Sequence, residues 1–151
     1  MTKKKVIVCA VIIVSLVFLG YNAIWYFGTY RVYSQYEKEF EEVADSGVKI
    51  FVDDAEYQYS VKKPGYLLWD GNLAISEKNV EHALIIWVGF CGNNTSEGVI
   101  FTNENGEMLQ IELKNKSLAV EPYNQEYVDN NSEIISKLYE KANNQWNLEI
   151  E

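Results

Sequence analysis

Between Lys5 and Arg31 the chain carries no Asp, Glu, Lys, Arg or His, and most of that stretch is Val, Ile, Leu, Phe and Ala. A helix rises 1.5 Å per residue, so about 20 apolar residues cross a hydrocarbon layer about 30 Å thick. The run therefore predicts a membrane-spanning signal-anchor helix over residues 6–28, in contact with the lipid bilayer. Residues 1–5 lie on one side of it and the rest of the chain on the other. A cleaved leader fits less well. Its apolar stretch is shorter and ends at small residues one and three before the cut. Here the plausible cuts place Phe18 with Gly20, or Tyr21 with Ala23, at those positions.

The far end of the run is crowded with rings: Tyr21, Trp25, Tyr26, Phe27 and Tyr30. Rings with a polar tip favour the layer between headgroups and hydrocarbon, which marks where such a helix leaves the membrane. Cys9 sits too early in the run for a lipid-attachment cysteine and reads as a small apolar helix residue. Lys3, Lys4 and Lys5 resist translocation, whereas Arg31 and Lys38 are interleaved with Glu37 and Glu39. The expected orientation has residues 1–5 in the cytoplasm and the C-terminal part outside, at the cell membrane.

Charge bounds the partners of that outer part. Residues 29–151 hold all 22 acidic residues against ten basic ones, a net charge of −12. Such a surface does not track a nucleic-acid backbone, and repulsion from anionic lipid predicts a domain that stands off the bilayer. Cys91 is the only cysteine beyond the apolar run, so no disulfide joins two parts of the domain. Asn, Ile, Lys and Tyr make up 50 of the 151 residues, a bias typical of low-GC bacterial genomes.

The element pattern is α+β. Tyr26, Tyr30, Tyr33, Tyr36, Phe40 and Val43 recur at three- and four-residue spacing, which predicts a juxtamembrane helix over 29–47 continuing from the span. Ser46-Gly47 supplies its stop. The domain proper, 48–151, predicts an antiparallel β-meander capped by a C-terminal helix. Two hairpins are expected, one from Tyr66–Trp69 through Asp70-Gly71 to Asn72–Ser76, the other from Val99–Thr102 through Asn105-Gly106 to Met108–Leu113. The apolar run Ala83–Phe90 predicts a central strand covered on both faces. A strand at Leu118–Val120, a polar stretch after Pro122 and a helix over 132–146 complete the list.

Chemistry is sparse. His82 is the only histidine, which leaves little for a triad or a histidine metal site. A strand over 83–90 separates it from Cys91 by nine residues, which at about 3.3 Å each is far beyond hydrogen-bond reach. Asp53, Asp54, Glu56, Asp70, Glu104 and Glu107 have no EF-hand spacing, and no phosphate-loop, dinucleotide, nucleophile-elbow or zincin motif is present. No cofactor is expected. The residue types point to a non-enzymatic, single-pass protein whose outer domain binds a protein or envelope component, as an accessory, sensor, immunity or exclusion factor.

Two segments are the expected contact residues. One is the aromatic stripe, with Tyr30, Tyr33, Tyr36 and Phe40, which serves packing on the sheet or self-association. The other is the polar loop after the central strand, with Cys91, Asn93, Asn94 and Thr95, since loops on a rigid sheet carry recognition. A small anchored hydrolase using acidic residues and a cytoplasmic-facing adaptor of opposite topology are the alternatives.

Overall fold

Alternation of apolar and polar residues after Val48 gives each strand one face to bury, and short connections let consecutive strands pair. The computed structural model describes residues 2–38, 40–43, 46–53, 57–78, 82–93, 95–102 and 106–148. It contains one eight-stranded antiparallel sheet in sequence order: β1 (Glu41–Val43), β2 (Val48–Val52), β3 (Tyr57–Lys62), β4 (Asn72–Glu77), β5 (His82–Trp87), β6 (Ser96–Thr102), β7 (Met108–Asn115) and β8 (Leu118–Ala119). Among the described residues four α-helices accompany it: α1 (Lys3–Trp25), α2 (Arg31–Ser34), α3 (Gln125–Asn130) and α4 (Ser132–Trp146). The expected α+β layout is present.

Register aligns two apolar rows across the inner face. Tyr59, Ile75, Leu84, Val99 and Ile111 face one another in turn across β3–β7. Val61, Leu73, Ile86, Glu97 and Leu113 form the second row. All ten are buried. Helix α4 closes over these rows with Ile135, Leu138, Tyr139, Ala142 and Trp146, one face of a 3.6-residue period, with Ile134 half-buried at its margin. The Trp146 ring meets Tyr59 edge-on at 5.7 Å. Asn147, in the left-handed conformation, ends the helix by returning its N–H to the Asn143 carbonyl.

One charged group sits inside the second row. Glu97 accepts a hydrogen bond from the Tyr139 hydroxyl beneath α4. Burial pushes its carboxyl above the usual range, opposed by the Tyr139 bond and by Lys116.

Four sequence expectations change. The helix leaving the apolar run ends at Ser34, not near residue 47, because Glu41–Val43 pairs as β1 with Ile50–Val48 of β2. Glu37 is held by Lys63 at 2.5 Å and Lys49 at 3.4 Å, and Gly47, with φ of +66°, shapes a hairpin turn instead of a helix cap. The segment Tyr66–Trp69 is not a strand. β3 ends at Lys62, opposite Asn72, and residues 63–71 form a long connection opened by Pro64, which has no N–H for a ladder. Strand β5 buries Leu84 and Ile86 but leaves Ile85 and Trp87 half-buried, so it is covered on one face, as antiparallel sheets permit. The polar stretch after Pro122 contains α3, which buries Val128.

The hairpin β6–β7 pairs as expected, with Thr102 opposite Met108. Its Asn105 lies outside the described residues, as do Asp54, Glu56 and Glu104.

Candidate functional site

The apolar run forms one helix long and apolar enough to cross a membrane, and none of its most apolar 18-residue stretch is buried by the rest of the chain. Its first contact with the domain comes at its C-terminal end. There the backbone widens into a π-helical segment, Tyr26–Tyr30, before α2 resumes. The Thr29 hydroxyl donates to the Trp25 carbonyl one turn back, and Gly28 leaves a notch in the helix surface. Single π turns of this kind re-aim the side chains that follow them.

Two connections from the same end of the sheet grip this segment. From 63–71, the Leu68 carbonyl accepts the Trp25 indole N–H at 2.8 Å, and the Tyr66 hydroxyl bonds the Asn22 side-chain oxygen at 2.6 Å. The rings of Tyr66 and Trp25 meet edge-on at 5.3 Å, those of Trp69 and Tyr21 at 6.3 Å. From the connection after β5, the Phe90 ring fills the notch that a Cβ at Gly28 would occupy, and stands 5.9 Å from Trp69. A third tie lies deeper. The Tyr33 hydroxyl donates to the Val88 carbonyl and accepts from the Val88 N–H, both at 3.1 Å. Val88 follows the last paired residue of β5, so one phenol satisfies both of its backbone groups.

The structure divides the sequence-predicted residues. Tyr33 is 1 % exposed and Phe40 is 8 % exposed, the latter's ring tilted against that of Phe51 at 5.6 Å. Both belong to the chain's own core. Tyr36 is half-buried against that core. Tyr30 is half-buried between Tyr26, Trp25 and the Lys63 ammonium, which lies 4.6 Å from its ring. Cys91, Asn93 and Thr95 are exposed, and Asn94 lies outside the described residues. Cys91 has φ of +57° and Gly92 +81°, so the turn 90–92 doubles back tightly and drives Phe90 into the helix. The stripe and the loop are thus brought to the same end of the molecule, by way of Phe90 and Val88.

Sequence reasoning missed the connection 63–71. Its rings looked like strand residues. The signal that could have found it is Pro64-Gly65 followed by Leu68-Trp69, large apolar residues after a strand stop, with no alternation to bury them.

Titratable residues near one another serve packing or turns. Asp53 accepts from the Tyr57 N–H and the Tyr59 hydroxyl, and lies 3.8 Å from the Lys141 ammonium. His82 is half-buried with its ring edge-on to Phe101 at 5.1 Å. Among the described residues there is no group of three His, Cys, Asp or Glu that could hold a metal ion.

No protein-family model, no curated protein and no solved structure matches the chain.

Proposed function

We propose that the chain is a single-pass membrane protein whose small acidic domain faces outward and binds a protein or envelope partner, without catalysis. It would serve as an accessory, sensor, immunity or exclusion factor. The observation that carries the anchor is α1 with the π turn after it, uncharged from Val6 to Tyr30, its most apolar 18-residue stretch unburied by its own domain. An apolar surface of that length needs lipid or another apolar partner around it.

Binding rather than chemistry is supported by where the acids and rings lie. Glu97 is committed to Tyr139 and Asp53 to its own turn, so neither is aimed into an open cleft. Helix α4 covers the inner face of the sheet only. Ala83, Ile85, Trp87 and Ile100 remain half-buried. That outer face and the adjoining exposed Cys91, Asn93 and Thr95 are the proposed partner surface. Self-association through the stripe would have to dispense with Tyr33 and Phe40, which the domain itself buries.

Met108, 78 % exposed at the opposite end of the sheet from α1, gives a clean reporter of topology. In a Cys9→Ala, Cys91→Ser background, Met108→Cys should react with a membrane-impermeant maleimide in intact cells. Reaction only after permeabilisation would reverse the orientation and make the domain a cytoplasmic adaptor. A photo-crosslinking residue at Ile100 should then capture a discrete adduct, while one at Glu140, on the exposed side of α4, should not. Identical patterns from the two sites would remove the outer face as the partner surface.

A further inference from the structure

We propose that the tips of the two gripping connections, carrying Tyr66, Leu68, Trp69 and Phe90, insert into the interfacial layer of the bilayer that α1 spans. The domain is then seated on the membrane and does not swing from it. This rests on reading α1 as a membrane span, and it reverses the expectation that an acidic domain stands off the surface.

Depth is the first argument. Lys5 is the last charge before the apolar run, so one face of the hydrocarbon lies near it. A rise of 1.5 Å per residue places the opposite face about 20 residues on, close to Trp25. A tilt near the average of about 20° moves that boundary by little more than one residue. The domain does not start beyond this level. It reaches back to it, because Tyr66 is bonded to Asn22, Leu68 to Trp25, and Trp69 packs on Tyr21. These loop residues therefore share the depth of the helix rings that mark the membrane exit.

Composition of the tips is the second. Tyr66 is 63 % exposed, Leu68 55 %, Trp69 47 % and Phe90 51 %, so four large apolar side chains of the folded domain stand open on one patch beside α1. Tyr and Trp favour the headgroup layer, and a Leu and a Phe beside them gain by leaving water. The occupant follows from continuity, since a leaflet already surrounds Tyr21 and Asn22 of the span.

Charge is the third, and it selects the mode of attachment. Arg31, Lys62 and Lys63 stand at this end together with Glu37 and Asp70, and Lys63 is paired with Glu37. The mixture gives no strong attraction to anionic lipid. Burial of rings is the attachment, and zwitterionic vesicles suffice for it.

The test uses the full chain in phosphatidylcholine vesicles, with single cysteines at Leu68, Met108 or Leu16 in the Cys9→Ala, Cys91→Ser background. Each carries an environment-sensitive fluorophore, quenched either by a nitroxide high on the lipid chain or by aqueous iodide. The Leu68→Cys label should be quenched several-fold more by the lipid nitroxide than the Met108→Cys label, and shielded from iodide. A Leu68→Cys label as open to iodide as Met108→Cys, with Leu16→Cys still shielded, overturns the seat and leaves the span. A Leu16→Cys label open to iodide removes the span and the seat together. The unlabelled chain gives a second reading that does not depend on labelling. With brominated lipid, Trp69→Phe should lower the lipid-quenched share of tryptophan emission; an unchanged share overturns the seat.

Discussion

Helices α1 and α4 are both rich in apolar residues, and they solve opposite problems. On α4 the apolar residues occupy one side: Ile135, Leu138, Tyr139, Ala142 and Trp146 are buried, while Glu133, Lys137 and Glu140 are exposed. On α1 they occupy every side, and Trp25 is the only residue the chain buries. Distribution, not content, tells which solvent each helix is built for. A stripe needs a sheet; an apolar cylinder needs lipid or another apolar partner around it. The two regimes meet between Asn22 and Tyr33, where the helix starts to be gripped from one side, Trp25 by the connection 63–71 and, past the widened turn, Tyr33 by Val88 at the end of β5.

The sharpest way to test that contrast is to truncate equivalent leucines. Leu138 is 2 % exposed and belongs to the buried core cluster. Leu138→Ala should cost the domain about 2–5 kcal/mol, since a buried leucine leaves both lost transfer energy and a cavity. Urea unfolding of the full chain in detergent, followed by tryptophan emission, measures it. A loss below about 1 kcal/mol would mean that α4 does not close the core as described.

A second cut falls where the regimes meet. Tyr33→Phe keeps the ring but leaves the Val88 N–H and carbonyl without their shared partner. Two buried backbone groups then go unsatisfied, at a cost of about 1–3 kcal/mol for each. The variant should also loosen the turn that carries Phe90, raising proteolytic cleavage near Cys91. Unchanged stability and unchanged cleavage would make the tie at Val88 incidental.

Legibility in the sequence follows the same divide. Helix α4 was readable because one face of a 3.6-residue period meets one sheet, a local pattern that needs no knowledge of what covers it. The hairpin β6–β7 was readable for a similar reason, because Asn105-Gly106 states the reversal within a few residues. The candidate site was not. Leu68 and Trp69 answer to Trp25 and Tyr21, more than 40 residues earlier, and nothing in their spacing distinguishes rings bound for a helix from rings bound for a core. The periodicity of Tyr33, Tyr36 and Phe40 marks them as one face but points to a longer helix than the one that forms. The hairpin that pairs Glu41–Val43 with β2 and the ion pair of Glu37 with Lys63, 26 residues on, overrode local helix propensity there.

A smaller effect probes the underside of α4. Folding raises the Glu97 carboxyl above its ordinary value of 4.5, so the folded chain binds that proton more tightly than the unfolded one. The resulting stability is fully present below pH 4.5 and is lost as pH rises through the raised folded value. Gln at this position stays neutral and can still accept the Tyr139 hydrogen bond. Wild type and Glu97→Gln should therefore have similar urea midpoints near pH 4 and diverge toward neutral pH, with the variant more stable. A difference that stays constant across that range would show that Glu97 does not titrate under α4.

The smallest expected effect completes the contrast. Leu16 on α1 is 63 % exposed and touches no part of the domain, so its truncation removes apolar surface without opening a cavity. Leu16→Ala should leave the urea midpoint of the domain within about 0.5 kcal/mol of wild type, as for substitutions away from packed features. Ala still belongs in an apolar helix, so the chain should remain in the membrane fraction after carbonate washing. A loss comparable to that of Leu138→Ala would change the meaning of α1: its apolar cylinder would then be packed against protein, as in an oligomeric core, and lipid would not be what surrounds it. The pair of leucines thus asks one question of two helices, and only a large cost at Leu138 with a negligible one at Leu16 fits a stripe on a sheet and a cylinder in a bilayer.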